Sequence, residues 1–334
     1  MAKAIIIGTG NIGTALQTEL CKNGHEVVAR ASRHKVWSKG EGPWSIKDVG
    51  NVKEITSTLK VIGPDADAIM ITIPNANKGA DELEYIQRFS DKIVVTCAKA
   101  AHAYQYPHVR GLRIGRRAIV GAGTDMLETL RRRQLQNENL IIYAVINGTL
   151  NYIWSIIQTG GNFATAISDA KELKFAEPNN DDPIAILNGE LDDVCMKGTS
   201  LKNIALPCDQ VLSADDFEIV PLTEDDIPRL TSRNARHRFL VTISSVKDVD
   251  EIPKGAPGSI RVQCGRWKIV GGFHDIRAES PWYDWLRQID GVNNGFTIHN
   301  SFGKDTGNSL GGPGAGPEVT AKAMVRDLHD LLAA

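Results

Sequence analysis

The sequence lacks most of the features that assign a chain quickly to a function class. Its five cysteines, Cys21, Cys97, Cys195, Cys208 and Cys264, are scattered through 334 residues. There is no CxxC pair and no matching histidine spacing, so neither a disulfide framework nor a metal centre is expected, and a reducing cytoplasm is the expected compartment. Charge of one sign is missing too. Lys and Arg number 38 against 40 Asp and Glu, a net charge of -2, without the basic excess of a nucleic-acid binder. No apolar run reaches the length of a membrane span, and the chain opens directly into a strand-like segment rather than a signal sequence. Internal repeats and low-complexity tracts are absent. What remains is a chain with room for two domains and a hydrophobic content of 42%, ordinary for a globular protein. Small molecules are its expected partners, with no nucleic acid and no membrane.

The N-terminal third reads as a dinucleotide-binding unit. Lys3 to Ile7 is a short apolar run, followed at once by Gly8-Thr9-Gly10-Asn11-Ile12-Gly13 and a helical pattern of Ile12, Ala15, Leu16 and Leu20 closed at Gly24. In the order strand, Gly-loop, helix, the first glycine permits a tight turn. The second lets the backbone approach a pyrophosphate, and the third lets helix and strand pack closely. Gly8, Gly10, Asn11, Ile12 and Gly13 are therefore candidate cofactor residues. The second strand, His25 to Ser32, lacks the terminal acid that would grip an NAD ribose. Its end carries Arg30, Ser32, Arg33, His34 and Lys35 instead, which suits the 2′-phosphate of NADP. NAD remains possible, and a solvated basic turn fits the same residues. Further strands are expected at 68–73, 93–96 and 118–120, extending a doubly wound parallel sheet to about residue 125. Thr72, Ile73 and Thr96 would lie at strand ends facing the ligand crevice.

Beyond the first third, Leu140 to Ile146 reads as a buried strand and Tyr152 to Ile157 as an apolar helix ending at Gly160-Gly161, with Asn147 to Asn151 at the strand end. Asn188 is placed to cap a helix whose apolar stripe runs through Leu191, Val194, Cys195, Leu201 and Ala205. Asp193, Lys197 and Ser200 line its neighbouring face. By itself an i,i+4 acid and lysine pair fits a surface ion pair equally well, and Lys99, after a strand, fits a solvated charge. Arg131 to Arg133 fit a solvated helix face. Strand-like runs at 239–244, 259–264, 268–272 and 296–299 suggest a mostly antiparallel or mixed sheet. Gly311 to Ala321 reads as a loop entering a final helix.

Four of these blocks carry a family resemblance. Asn147-Gly148-Thr149-Leu150-Asn151-Tyr152 resembles the Asn-Gly-Thr-x-Asn-Tyr signature of homoserine dehydrogenases. Thr96-Cys97-Ala98-Lys99 resembles their Thr-x-Asn-Lys block, with Ala98 in place of asparagine. Phe175-Ala176-Glu177-Pro178 and Leu191 to Lys197 resemble Tyr-x-Glu-Pro and Leu-Asp-Val-Ala-Arg-Lys, with Phe175 for tyrosine. Gly312 to Ala321 resembles the Gly-x-Gly-Ala-Gly-x-x-Val-Thr-Ala ending. The resemblance implies a Rossmann domain over 1–128, with 317–334 packing back on it, and an α+β catalytic and dimerisation domain over 129–316, assembled as a homodimer. It implies no regulatory extension after Ala334. The implied reaction interconverts L-homoserine and L-aspartate 4-semialdehyde with NAD(P), in the route to threonine and methionine.

By match, Lys197 and Lys99 are the catalytic residues, and Lys99 also reaches the nicotinamide end of the cofactor. Glu177, Asp193, Gly148, Thr149 and Asp182 bind substrate, and Gly312 and Gly314 approach the cofactor. Oxidising a primary alcohol needs a base for the hydroxyl proton, and a lysine serves if its pKa falls from about 10.4 through burial or a second positive charge. Lys197 is assigned the proton, Asp193 the hydroxyl end, and Glu177 the α-ammonium. Residues 179–185 are longer than the family segment. The loop 120–125 resembles a cation-holding turn, yet Asp125 replaces a proline and Arg117 a glutamate, so no bound cation is expected and Arg117 is expected to supply the positive charge there. Two rival readings stay open: a related oxidoreductase acting on another hydroxy or oxo amino acid, and a non-catalytic cofactor-binding regulator.

Overall fold

The computed structural model describes residues 1–39, 44–133, 139–176, 181–206, 210–232, 237–246, 252–300 and 304–334. Glu177 lies outside the described residues. The chain divides into two compact units, Met1–Gly123 with Gly316–Ala334, and Thr124–Ala315.

In the first unit, β1 (Lys3–Ile7) pairs in parallel with β2 (Glu26–Ala31) and β5 (Ala68–Ile71), and β5 continues in parallel to β6 (Ile93–Thr96) and β7 (Ile114–Gly115). These strands are short, apolar and buried, as a sheet covered on both faces requires. The other edge departs from the expected all-parallel pattern. β2 turns back at once into β3 (Lys35–Ser38), which pairs antiparallel with β2 and with β4 (Ser45–Asp48). The cause is a tight turn in which Ser32 Oγ accepts from the amides of His34 (3.3 Å) and Lys35 (3.1 Å). The strand expected at 118–120 is a 3₁₀ turn, Arg117–Ile119. The amide of Arg117, which a ladder would need, is taken by Asp327 Oδ2 at 2.8 Å. The helices Asn11–Lys22 and Pro317–Ala333 share one core through Leu16, Leu20, Met324 and Leu328, packed with Ile6 and Met70.

The second unit is built on an antiparallel sheet. β8 (Leu140–Val145), β9 (Glu218–Val220), β10 (His237–Ser244), β11 (Ser259–Cys264), β12 (Trp267–Asp275), β13 (Asn293–Asn300) and β14 (Asp305–Pro313) lie in the order β14-β13-β8-β10-β12-β11-β9. β14 takes in Gly311, Gly312 and Pro313, which the glycine-rich composition suggested were loop. The helix after β8 begins at Gly148, not Tyr152, and runs to Gln158. Asn147 causes the earlier start, because its Oδ1 accepts from the amide of Leu150 at 2.8 Å and caps the first turn. Asn151 straps the helix to interior strands of the sheet: Nδ2 donates to the carbonyls of Gly291 and Asn293, both at 3.0 Å, and Oδ1 accepts from Arg238 Nε at 3.0 Å. The long helix runs over Pro183–Ala205, so Asn188 is not its cap. Asp182 caps it, accepting from the amide of Ile184 at 2.8 Å, and Pro183 occupies the first turn where no amide is missed. Asn188 instead clasps the backbone of Leu222, donating to its carbonyl (3.0 Å) and accepting from its amide (2.8 Å).

Candidate functional site

In the first unit the Gly-loop has the form an anion cradle needs. Gly8 has φ +118, and a Cβ there would collide with Thr72, as one on Gly13 would with the carbonyl of Gly8. Around Gly10, by contrast, nothing lies within 4 Å of an added Cβ. The helix Asn11–Lys22 starts there with no side-chain cap, leaving first-turn amides for a phosphate oxygen. Thr72 supports this loop, donating to the carbonyls of Ile7 and Gly8 at 3.3 Å. Ile73 follows β5 and is partly buried.

The basic cluster divides. Arg30 is drawn back to the helix, donating through Nη1 to Gln17 Oε1 at 2.6 Å. Ser32 shapes the turn, while Arg33, His34 and Lys35 are exposed. The Arg117 guanidinium pairs with Asp327 at 2.5 Å and Asp330 at 2.7 Å on the final helix.

Thr96 and Lys99 flank a buried polar knot. The Thr96 hydroxyl donates to Glu82 Oε1 at 2.8 Å, and the amide of Lys99 donates to Asn75 Oδ1 at 2.8 Å. Burial raises the Glu82 carboxyl to about 6 against its hydrogen bonds and the charge of Lys99. Burial also pushes the Cys97 thiol up to about 12, and it pushes Cys195 in the second unit up as well, with Asp192 and Asp193 adding to the effect. Neither cysteine supplies a thiolate at neutral pH.

In the second unit four polar side chains converge. Asn147 Nδ2 donates to Glu190 Oε2 at 2.6 Å and to Asp193 Oδ2 at 3.0 Å, and Lys197 Nζ pairs with the same Asp193 oxygen at 2.7 Å. Glu190, Asp193 and Lys197 recur at helical spacing along one face. Lys197 and Asp193 keep only 12% and 19% of their side-chain surface exposed, so this ion pair is not the solvated kind. Glu190 carried the same i, i+3, i+7 signal in the sequence but was not singled out. Gly148 follows Asn147 directly, and a Cβ there would lie 2.9 Å from the carbonyl of Val292. Thr149 donates to the carbonyl of Phe175 at 2.7 Å, and the Phe175 ring stands edge-on to Tyr152 at 5.3 Å. Asp182 is not drawn into the cluster. It caps the far end of the helix, roughly 16 Å along the axis from Asp193 at 1.5 Å per residue.

Gly312 pairs across the ladder with Asn294, and a Cβ on Gly314 would collide with the Asn294 amide. That amide is fully buried and neither its oxygen nor its nitrogen has a hydrogen-bond partner. Nothing in the sequence pattern marks it. Among the described residues no group of three or more His, Cys, Asp or Glu is placed to hold a metal, and no helix is long and apolar enough to cross a membrane.

The sequence model of the homoserine dehydrogenase family matches residues 126–329, a span that contains the whole Asn147, Glu190, Asp193 and Lys197 cluster. The chain belongs to the homoserine dehydrogenase family. Homoserine dehydrogenases are oxidoreductases that act on a CH–OH group with NAD(P). The chain is 24% identical over 341 residues to the homoserine dehydrogenase of Sulfurisphaera tokodaii, covering 98% of this chain and 97% of that one. It is 27% identical over 217 residues to a bifunctional aspartokinase/homoserine dehydrogenase of Zea mays, covering 64% of this chain but only 23% of the maize protein's length. An NAD(+)-dependent homoserine dehydrogenase of Pseudomonas canavaninivorans is 25% identical over 71% of this chain and 56% of its own. Among solved structures, a hyperthermophilic archaeal homoserine dehydrogenase in complex with NADPH has the same fold, with a TM-score of 0.64 at 18% identity over 99% of this chain and 98% of that one.

Proposed function

We propose that this protein is an NADP-dependent homoserine dehydrogenase, interconverting L-homoserine and L-aspartate 4-semialdehyde on the route to threonine and methionine. The observation that carries the reading is the partly buried Asn147, Glu190, Asp193 and Lys197 cluster, a set of charges whose desolvation would have no use on a solvated helix face. A dinucleotide fits the first unit, because the open space at Gly10 and the uncapped helix suit a pyrophosphate and exposed Arg33 and Lys35 suit a 2′-phosphate. Gly312 and Gly314 complete the proposed cofactor contacts. A bound nicotinamide supplies hydride exchange with the substrate carbon.

The remaining chemistry falls to side chains. In the reducing direction the Lys197 ammonium gives a proton to the aldehyde oxygen, and in the oxidising direction the Lys197 amine takes it from the hydroxyl. Asp193, 2.7 Å from that nitrogen, holds the lysine and orients the hydroxyl end. Asn147 fixes Asp193 in turn. Glu177 binds the α-ammonium, Gly148 offers its backbone, and Thr149 shapes the wall by holding Phe175. Lys99 positions the substrate or relays a second proton. The protein is proposed to act as a homodimer, which sedimentation would test.

Phe175, which removes a phenol from the pocket wall, favours a second reading in which a larger or less polar hydroxy amino acid is the substrate. Incubation with NADP and either L-homoserine or its longer hydroxy analogues, with the product identified, separates the two. Aspartate semialdehyde formed from homoserine is the expected result. Turnover of an analogue alone would favour the second reading.

A further inference from the structure

Lys99 lies at the head of a helix, Ala100–Tyr104, of only five residues. A helix that short does not hold its own first turn, and the segment carries Ala98 where the family block has an asparagine. Its backbone is nevertheless gripped at three amides, and the Thr96 hydroxyl just before it at a fourth point, by two side chains from a single upstream segment. Asn75 Oδ1 accepts from the amides of Lys99 (2.8 Å) and Ala100 (3.2 Å). Glu82 Oε2 accepts from the amide of Ala101 (2.8 Å), while its Oε1 accepts from the Thr96 hydroxyl (2.8 Å). Glu82 is 2% exposed. Between the two gripping residues the chain passes through three successive left-handed positions, Asn77 (φ +49), Lys78 (φ +46) and Gly79 (φ +77). Glycine and asparagine tolerate that region, but Lys78 is a residue that rarely adopts it. A Cβ on Gly79 would collide with the Ala100–Ala101 backbone, so this strained turn sits directly on the Lys99 helix. Strain of this kind persists where surrounding contacts over-determine it, and here the contacts lie on either side of it.

We propose that Asn75 and Glu82 are positioning residues for the reaction, a clamp from the 75–82 segment that fixes the backbone of Lys99 and so aims its amine. The proposal rests on the reading of Lys99 as part of the reaction site.

The test uses the full chain and compares Asn75→Ala, Asn75→Asp, Glu82→Gln and Lys99→Ala, singly and with each clamp variant combined with Lys99→Ala. Three quantities are read: kcat with aspartate semialdehyde and NADPH, the Kd of NADPH by fluorescence, and amide hydrogen exchange in the peptide spanning 97–104. Asn75→Ala is expected to lower kcat about tenfold, the scale of one or two lost hydrogen bonds, to leave the NADPH Kd within about twofold, and to speed exchange in that peptide. Asn75→Asp retains an acceptor and is expected to keep kcat within about threefold of wild type. Glu82→Gln is expected to lower kcat about threefold. In the Lys99→Ala background neither clamp variant should lower kcat further, because residues acting through one group are not additive. Unchanged kcat or unchanged exchange in Asn75→Ala overturns the clamp, as do losses that multiply in the double variants. Faster exchange in Asn75→Ala together with wild-type kcat in Lys99→Ala instead overturns the assignment of Lys99 to the reaction.

Discussion

Lys197 sits one helical turn from the carboxylate that pairs with it, whereas Lys99 has its backbone held by Asn75, which lies 24 residues earlier in the chain. The first lysine is placed by local geometry, since α-helical spacing alone sets Glu190, Asp193 and Lys197 on one face. The second depends on a buried carboxylate, a strained turn and an amide, none of which neighbours it in sequence. The contrast suggests different roles. In the proposed roles, the lysine that moves the proton is held by side-chain charge at its reacting atom, and the lysine that positions is held through its main chain.

The largest effect expected from this contrast is on turnover. Lys197→Ala should lower kcat by roughly 10²- to 10⁴-fold, the scale of a lost general acid or base, with the NADPH Kd nearly unchanged. Lys99→Ala should cost less. Steady-state kinetics on both variants would dissolve the contrast if Lys99→Ala abolished turnover while Lys197→Ala kept near-wild-type kcat.

A smaller effect is expected at the cofactor turn. Arg30 is committed to Gln17, so exposed Arg33 carries the proposed contact to a 2′-phosphate. Arg33→Ala should raise the NADPH Kd roughly tenfold and leave that of NADH nearly unchanged, as loss of one charge-assisted contact would. Titration of both cofactors checks this, and equal wild-type affinities would remove its basis.

The same distinction between local and distant contacts explains what was legible in the sequence. The Gly-loop, the buried parallel strands, the final helix and the Asp193–Lys197 pair are local patterns, and all could be read. Glu190 was equally readable from its spacing. The hairpin β3–β4 was not, because its strands are four residues each, β4 is wholly exposed and β3 buries only Val36, so no apolar alternation marks them. β14 was hidden by glycine, which carries no pattern of faces. The start of the Pro183–Ala205 helix was legible as an acid before a proline, but Asn188 gave a competing cap signal that the Leu222 backbone in fact occupies. Asn75 and Glu82 bond to residues distant in sequence, where spacing has nothing to report.

The smallest expected effect concerns pH. His102, three residues after Lys99, is fully buried with neither ring nitrogen partnered, and burial, with Arg116 adding, lowers it from 6.5 to about 3. Its folded form binds fewer protons than its unfolded form, so its contribution to stability is present above 6.5 and is lost as pH falls toward about 3. His102→Leu should therefore lose less thermal stability than wild type between neutral pH and about pH 5. Identical acid slopes in the two melting curves would show that the imidazole is not the cause.

The most direct test of the central claim is the rate of NADPH oxidation when L-aspartate 4-semialdehyde is added, measured side by side for the wild-type protein and Lys197→Ala. The account predicts saturable oxidation by the wild type that is nearly lost in the variant. A wild-type protein that binds NADPH and leaves it unoxidised at saturating semialdehyde would contradict it.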